Sequence, residues 1–157
     1  MILETGYVYH IKNEYFDFAK DEKLMKNHEN GSTRPTYFCI KNPDSKILWF
    51  VPMSSKVEKY KKLLDKKISK KGVCDTIVIG KYRRKDAAFL IQNIFPITEK
   101  YIDHIDIIRN KAVPVVEGTQ KEIMQKVNKV FRLKEKGINL IFPNVDEIEK
   151  KLLDELN

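Results

Sequence analysis

The feature that most constrains the fold is a pair of strand-like segments joined by a tight turn. Residues 36–41 and 46–53 are rich in apolar and aromatic side chains, and Asn-Pro-Asp-Ser at 42–45 has the composition of a β-turn. The second segment contains an unbroken apolar run, residues 47–51, which predicts a strand central in a sheet or covered on both faces. Because a tight hairpin requires antiparallel pairing, the chain is expected to fold around an antiparallel sheet.

The other hydrophobic patterns predict a single α+β domain over residues 1–157. Segments at 2–11, 74–80 and 87–95 are expected to be strands, and 138–142 a short extended piece. Apolar residues at helical spacing predict helices that begin at Asn13, Ser55, Thr98, Thr119 and Asn144. Ser55, Thr119 and Asn144 are each followed three residues later by Glu, which predicts a capping box. Pro52 and Pro96 are expected to end strands, and Gly72 and Gly137 to end helices.

The positive charge is concentrated in two places. The formal net charge is +8, and residues 56–71 contain eight lysines, while Lys81, Arg83, Arg84 and Lys85 form a second cluster. Such patches suit a polyanion, and each neutralised phosphate adds salt-sensitive affinity. A lysine-rich helix face that only improves solubility explains the same composition.

The sequence contains neither a membrane-spanning segment nor a common catalytic motif. No apolar run is long enough to span a membrane and no apolar block opens the chain, so a cytoplasmic protein is expected. The P-loop, GxGxxG, HExxH and GxSxG motifs are absent. His10, His28 and His104 are scattered, and Asp103, His104 and Asp106 are expected on the solvated face of one helix. The chemistry is therefore expected to need no metal and no cofactor.

The strongest candidate site is Ser54-Ser55-Lys56, at the junction between a strand and a basic helix. A helix N-terminus offers unpaired N–H groups and partial positive charge to an anion. Lys56 and Lys59 would lie in the first turns, where the helix dipole favours acids instead. Ser55 is expected to cap the helix, whereas Ser54 has no such duty and is the cleaner candidate. If the anion is an RNA phosphodiester, the 2′-hydroxyl is the nucleophile, and cations, hydroxyls and amides suffice to align it and to stabilise charge.

Two motifs resemble a known family. Arg-Pro-Thr-Tyr-Phe-Cys-Ile at 34–40, a hairpin, and Phe-Val-Pro-Met-Ser-Ser-Lys at 50–56 resemble the signature of the endoribonuclease toxins of type III toxin–antitoxin systems, the ToxN/AbiQ/CptN group. That signature is approximately Arg-Pro-Tyr-Phe-Gly-Ile, a hairpin, and Pro-Leu-(Ser/Thr)-Ser-Pro-Lys. Within the group the similarity is strongest to CptN, and residues 91–96 resemble the family's later strand.

The resemblance implies a compact, antiparallel, barrel-like sheet of the Kid/MazF toxin type with flanking helices. It implies a metal-independent endoribonuclease that cleaves by 2′-OH attack and leaves a 2′,3′-cyclic phosphate. The implied partner is a repeated pseudoknot RNA antitoxin, which the toxin cuts from a precursor and which holds it inactive in a closed toxin–RNA hetero-oligomer. The implied substrate is cellular or phage mRNA, and the implied role is phage abortive infection.

The family's functional positions carry over unevenly. Ser54 and Ser55 match the hydroxyl pair, and Arg34 and Tyr37 match the Arg-Pro-Tyr segment, with Thr36 inserted. The Pro-Lys that follows the serines in the family is replaced here by Lys-Val. The catalytic lysine is therefore either Lys56, displaced by one residue, or Lys59, one turn later, and we favour Lys56. The residues predicted to contact RNA are Arg34, Lys62, Lys66, Lys81, Arg83, Arg84, Lys85, Lys126 and Lys129.

Two other functions are compatible with the sequence. A non-catalytic RNA-binding module would explain the charge equally well. A MazF-like mRNA interferase would be neutralised by a protein antitoxin, encoded beside it, instead of by RNA.

Overall fold

The structure is a computed structural model that describes residues 3–29 and 31–157. Nine strands are present in that part of the chain: β1 Val8–Ile11, β2 His28–Glu29, β3 Ser32–Thr33, β4 Pro35–Lys41, β5 Leu48–Ser54, β6 Ile77–Tyr82, β7 Lys85–Leu90, β8 Phe95–Ile97 and β9 Ile102–Ile105. The four α-helices of the same part are α1 Asn13–Ala19, α2 Val57–Lys71, α3 Glu117–Glu135 and α4 Val145–Leu156. The α+β class and the antiparallel sheet are as predicted.

Strand β5 is the centre of a seven-stranded sheet with the order β6-β7-β5-β4-β1-β9. One edge of β5 pairs with β4, and the other pairs first with β8 and then with β7. Every residue of β5 is buried, which confirms the prediction of a central strand. Pro52 does not end this strand, since β5 continues to Ser54 and pairs there with Ala88 of β7.

The sheet is not closed into a barrel. Strands β6 and β9 are its two ends, and no ladder joins them within residues 3–29 and 31–157. The hydroxyl of Tyr82 in β6 nevertheless donates to Asp106, which directly follows β9, at 2.6 Å. The two ends of the sheet are therefore joined by side chains instead of backbone hydrogen bonds.

Helices α3 and α4 pack on the main core, and α2 covers a smaller one. Ile123, Val127 and Val130 are the buried face of α3. Tyr60 of α2 packs with Ile77 in the second cluster. No helix in the described part of the chain is both long and apolar enough to cross a membrane.

The predicted helix that begins at Thr98 is wrong. Residues 99–101 form a single 3-10 turn, and β9 follows immediately and pairs with β1. Apolar residues in so short a segment fit a helix or a strand equally well, and the unpaired edge of β1 decides between them. Asp103, His104 and Asp106 therefore belong to a strand and its end, not to a helix face.

Other predicted boundaries also change. The predicted strand at 87–95 is divided into β7, a 3-10 turn at 91–93 and β8, with Pro96 inside β8. The first strand begins at Val8 and β6 begins at Ile77, while residues 1 and 2 lie outside the described residues. The polar segment 20–33, whose composition predicts a loop, contains the paired strands β2 and β3, and no strand forms at 138–142.

None of the three predicted capping boxes forms completely, and only Asn144 acts as the predicted cap. Its side chain accepts the amide of Glu147 at 3.3 Å, but its own amide donates to Asp21 at 2.7 Å instead of to Glu147. The N-caps of α2 and α3 are Lys56 and Val116, neither of which makes a side-chain cap bond. Asn13 is likewise inside α1 and not its cap. The hydroxyl of Ser55 instead donates to a carboxylate described below.

Two tight turns place arginines in the left-handed backbone region. Arg83 and Arg84 connect β6 to β7 with φ of 56° and 62°. Arg109 and Asn110 form a second two-residue turn, with φ of 51° and 68°, between the bridged residues Ile108 and Lys111. This backbone geometry favours Asn and Gly. Other residues in it lower the stability of the fold by about 1 kcal/mol or more.

Candidate functional site

The corner between β5 and α2 is organised by Ser54. This serine is 3% exposed, and its hydroxyl accepts the amide of Lys56 at 3.1 Å. The same hydroxyl donates to Glu29 at 3.2 Å. Ser54 thus fixes the backbone just before α2 without capping the helix, because the amide that it accepts belongs to the N-cap residue.

Glu29, on the β2–β3 hairpin, binds both serines through one carboxylate. Oε1 accepts the amide of Ser55 at 3.0 Å and its hydroxyl at 2.5 Å. Oε2 accepts Nη1 of Arg34 at 2.7 Å. Burial alone would raise the pKa of Glu29, but the Ser55 hydrogen bonds and the Arg34 charge outweigh it and lower the pKa to about 2. The carboxylate is therefore ionised at neutral pH and holds the corner in place.

Arg34 lies behind the serines. Its side chain is 8% exposed, and it donates to the carbonyl oxygens of Lys26 at 2.7 Å and Met53 at 2.9 Å in addition to Glu29. A guanidinium with these three acceptors is a structural cation that ties the hairpin to the end of β5.

A second group of side chains converges on Asp106, which is 6% exposed. Its carboxylate accepts Nε2 of His10 at 2.7 Å, the hydroxyl of Tyr82 at 2.6 Å and Nη2 of Arg83 at 2.8 Å. Burial alone would raise the pKa of Asp106, but the hydrogen bonds from His10 and Tyr82 and the charge of Arg83 lower it. No local sequence pattern indicates this cluster, because its members come from distant parts of the chain.

His10 is held on three sides. Besides Asp106, its Nδ1 lies 2.7 Å from the hydroxyl of Thr33, and its ring stacks on that of His104 at 4.5 Å. A carboxylate can only accept, so in the neutral imidazole Nε2 carries the proton and Nδ1 is the acceptor. The side chain is 11% exposed.

The serine corner and the Asp106 cluster face one cleft of about 260 Å³. Hydroxyls, cations and an imidazole thus meet in one place, a combination that suits an anionic substrate and proton transfer. The polar and charged residues in the cleft lining are His10, Glu29, Ser32, Thr33, Ser54, Ser55, Tyr82, Arg83, Lys85, Asp86 and Asp106.

Of the residues predicted as catalytic, the structure places Ser54 and Ser55 in this cleft. Tyr37 does not line it, since it is 3% exposed and its ring packs on Phe89 in the core. Lys56 and Lys59 are exposed at the start of α2, and neither is part of the cleft lining.

Of the residues predicted to bind RNA, Arg83 and Lys85 line the cleft, and Lys62 and Lys66 are exposed on α2. Lys81 and Arg84 lie on the β6–β7 hairpin beside it. On α3, Nζ of Lys126 is 3.2 Å from Glu122, and Nζ of Lys129 is 3.1 Å from Asp75. These two lysines are therefore already in ion pairs. Across residues 3–29 and 31–157, no cluster of three or more His, Cys, Asp or Glu could hold a metal ion.

Because the folded-state pKa of Glu29 is depressed, its contribution to stability is complete above the unfolded value near 4.5 and decreases as pH falls toward 2. We expect Glu29→Gln to lower the free energy of unfolding at pH 7 by roughly 2 kcal/mol. Between pH 5 and about 2.5 the difference from the wild type should shrink. Urea denaturation of both proteins across this pH range measures the difference. Glu22→Gln, at an exposed position, is the matched control. A difference that is constant with pH would contradict the assigned ion pair.

Comparison with known proteins gives a structural likeness but no sequence match. No protein-family model matches the chain, and no curated protein is significantly similar to it in sequence. Among solved structures, the fold is similar to that of AbiQ, a lactococcal anti-phage endoribonuclease belonging to the type III toxin–antitoxin system. The TM-score is 0.71, with 98% of this chain and 99% of AbiQ covered and 14% sequence identity. At this identity the likeness establishes a shared fold along the whole chain, and the resemblance to CptN in particular stays a prediction.

Proposed function

We propose that this protein is an endoribonuclease that cleaves RNA in the cleft between the serine corner and the Asp106 cluster. The observation that carries the proposal is that Ser54 and Ser55, the Asp106-bound imidazole of His10, and the cations Arg83 and Lys85 all line the same cleft. The whole-chain similarity to the fold of AbiQ, an endoribonuclease, supports the same activity.

The reaction needs only groups that the cleft contains. The 2′-oxygen of the substrate attacks the adjacent phosphorus, the P–O5′ bond breaks, and the products end in a 2′,3′-cyclic phosphate and a 5′-hydroxyl. A base takes the proton of the 2′-hydroxyl, and an acid gives a proton to the leaving 5′-oxygen. Positive charges and hydroxyl donors stabilise the phosphoryl oxygens as negative charge develops on them.

The serines and the cations take the role of phosphate ligands. Arg83 and Lys85 supply charge from the β6–β7 hairpin, opposite the serine hydroxyls. Each serine hydroxyl has a single proton, so a hydroxyl that donates to Glu29 cannot donate to a phosphate at the same time. Binding of the phosphodiester therefore rotates at least one hydroxyl from Glu29 to a phosphoryl oxygen.

His10 is the proposed proton-transfer residue, and Asp106 is its positioning residue. Asp106 fixes the ring by accepting from Nε2, which leaves Nδ1 as the base once the 2′-hydroxyl replaces Thr33 there. Tyr37 has no part in this scheme because its side chain is buried outside the cleft. Lys56, whose amide binds Ser54, remains the preferred helix lysine over Lys59, which is one turn away from the corner.

The proposed biological setting is a type III toxin–antitoxin system. It rests on the sequence signature and on the fold shared with AbiQ. The inhibitor would be a repeated pseudoknot RNA bound in a closed hetero-oligomer, and the role would be abortive infection of phage-infected cells. Tandem non-coding repeats upstream of the gene would support this setting, whereas an adjacent protein antitoxin gene would support a MazF-like system.

The direct test is incubation of the purified protein with RNA in EDTA. We expect discrete fragments with cyclic phosphate and 5′-hydroxyl ends, because the substrate carries its own nucleophile and the cleft its own cations. The control is the same RNA with 2′-deoxyribose at each mapped cleavage position, which should stay intact. Uncut RNA under all conditions would favour the non-catalytic RNA-binding module.

Replacement of Ser54 tests the phosphate ligands. We expect Ser54→Ala to lower the cleavage rate by about 100-fold, the scale of losing one oxyanion donor. The lost bond to the Lys56 amide should cost about 1 kcal/mol of stability, so urea denaturation must accompany the rate measurement. Ser69→Ala on the exposed face of α2 is the matched control. A folded Ser54→Ala variant that cleaves at the wild-type rate would remove Ser54 from the site.

Replacement of His10 tests the proton-transfer role. We expect His10→Ala to lower the cleavage rate at least about 100-fold while leaving the affinity for a 2′-O-methylated, non-cleavable RNA within a few-fold. His104→Ala is the matched control, since it removes the imidazole that stacks on His10 without touching Asp106. Equal losses in the two variants would assign the effect to ring stacking and not to proton transfer.

A further inference from the structure

We propose that a second cleft, next to the first, binds the single-stranded RNA that flanks the scissile phosphate. This cleft, called here the arginine cleft, has a volume of about 830 Å³ and lies between the β6–β7 turn and residues 108–116. The proposal deepens the proposed function, on which it rests, by naming where the substrate strand continues beyond the reacting group.

The charges of the arginine cleft favour a polyanion. Five cationic side chains line it and no acidic one does. Two of the cations are already paired: Arg83 binds Asp106, and Nζ of Lys81 is 3.3 Å from Asp86. The remaining three, Arg84, Arg109 and Lys111, make no ion pair with any residue in 3–29 or 31–157. Uncompensated charge of this kind is what a phosphate backbone neutralises.

Part of the lining of the arginine cleft is apolar. Val113 and Val116 line it with 39% and 57% of their surface exposed, together with the half-buried Ile108. Exposed aliphatic side chains in the same cleft as guanidinium groups suit the flat face of an unstacked base, which packs on apolar surface and stacks on arginine. A purely acidic peptide would use the charges but would leave these aliphatic side chains uncovered.

The backbone at the rim indicates that the arginines are there for a ligand. Arg84 and Arg109 each occupy a left-handed position of a two-residue turn where glycine or asparagine is favoured. Both turns face the same cleft although they are 25 residues apart in the sequence. Unfavourable backbone positions of this kind concentrate at functional sites.

The arginine cleft adjoins the proposed catalytic cleft. Tyr82 and Arg83 line both of them. A strand whose phosphate lies against the serines would therefore reach the arginine cleft past Arg83. This shared boundary favours the substrate strand as the occupant over a separate ligand.

The test uses Arg84→Gly, Arg109→Gly and the double variant, because glycine relaxes the turn while it removes the guanidinium. We expect the urea midpoint to stay equal or rise, so that weaker binding is not unfolding. The probe is a short single-stranded RNA with all 2′-hydroxyls methylated. The double variant should bind it roughly tenfold more weakly at 0.15 M salt, and the slope of log K against log salt should fall by about 0.7 for each arginine lost. Lys150→Ala on α4 is the control and should change neither the affinity nor the salt slope.

Two comparisons decide the nature of the ligand. An abasic strand of the same length should bind the wild type at least about fivefold more weakly than the RNA, and this difference should shrink in the double variant. Equal binding of polyglutamate with the same arginine dependence, or of the abasic strand, would overturn the assignment to RNA bases.

The proposal and the nuclease activity fail in different ways. Unchanged affinity in the double variant, together with normal cleavage of unmodified RNA, would overturn the arginine cleft and leave the catalytic cleft standing. Arginine-dependent binding by a wild-type protein that cleaves no RNA would uphold the cleft as an RNA site and overturn the nuclease.

Discussion

The arrangement of the site depends on one buried carboxylate. Asp106 is almost fully removed from water, and a charge in that position is tolerated only when donors surround it. The donors come from β1, from β6 and from the turn after β6, so satisfying the charge draws the two ends of an open sheet together. The wall of the cleft that faces the serines exists because of this requirement. An apolar residue at the same position would leave the three donors without this acceptor and the sheet ends without a link.

Glu29 is a second carboxylate whose charge is satisfied by surrounding donors, on the side of the cleft formed by the serines. Its carboxylate joins the β2–β3 hairpin to the start of α2, and Arg34 supplies the compensating charge from behind. The two carboxylates thus position the groups that face the cleft without themselves providing positive charge to a phosphate. One consequence is that catalysis and folding share residues, so the effect of a substitution on rate has to be separated from its effect on stability.

The sequence predicted the parts of the structure that local patterns determine. The hairpin of β4 and β5, the buried course of β5, the amphipathic helices and the Asn144 cap all follow from residues close together in the chain. The Ser55 cap failed because α2 begins one residue later, with Lys56 at its N-cap, and Glu29, 26 residues away, binds both the amide and the hydroxyl of Ser55. Likewise β9 replaced a predicted helix because a strand edge far away in sequence needed a partner. His10, Tyr82 and Asp106 carry no local signal, and only the sheet order brings them together.

The change of partner along β5 has a mechanical consequence. The strand leaves β8 after Phe50 and joins β7 at Met53, and Pro52, which has no N–H to satisfy, lies between the two ladders. The end of β5 is therefore attached to the same β6–β7 hairpin that carries Arg83 and Lys85. Any bending of the molecule at this changeover would move the serines and those cations together as one body. The spacing between the phosphate ligands is thereby insulated from motion in the rest of the sheet.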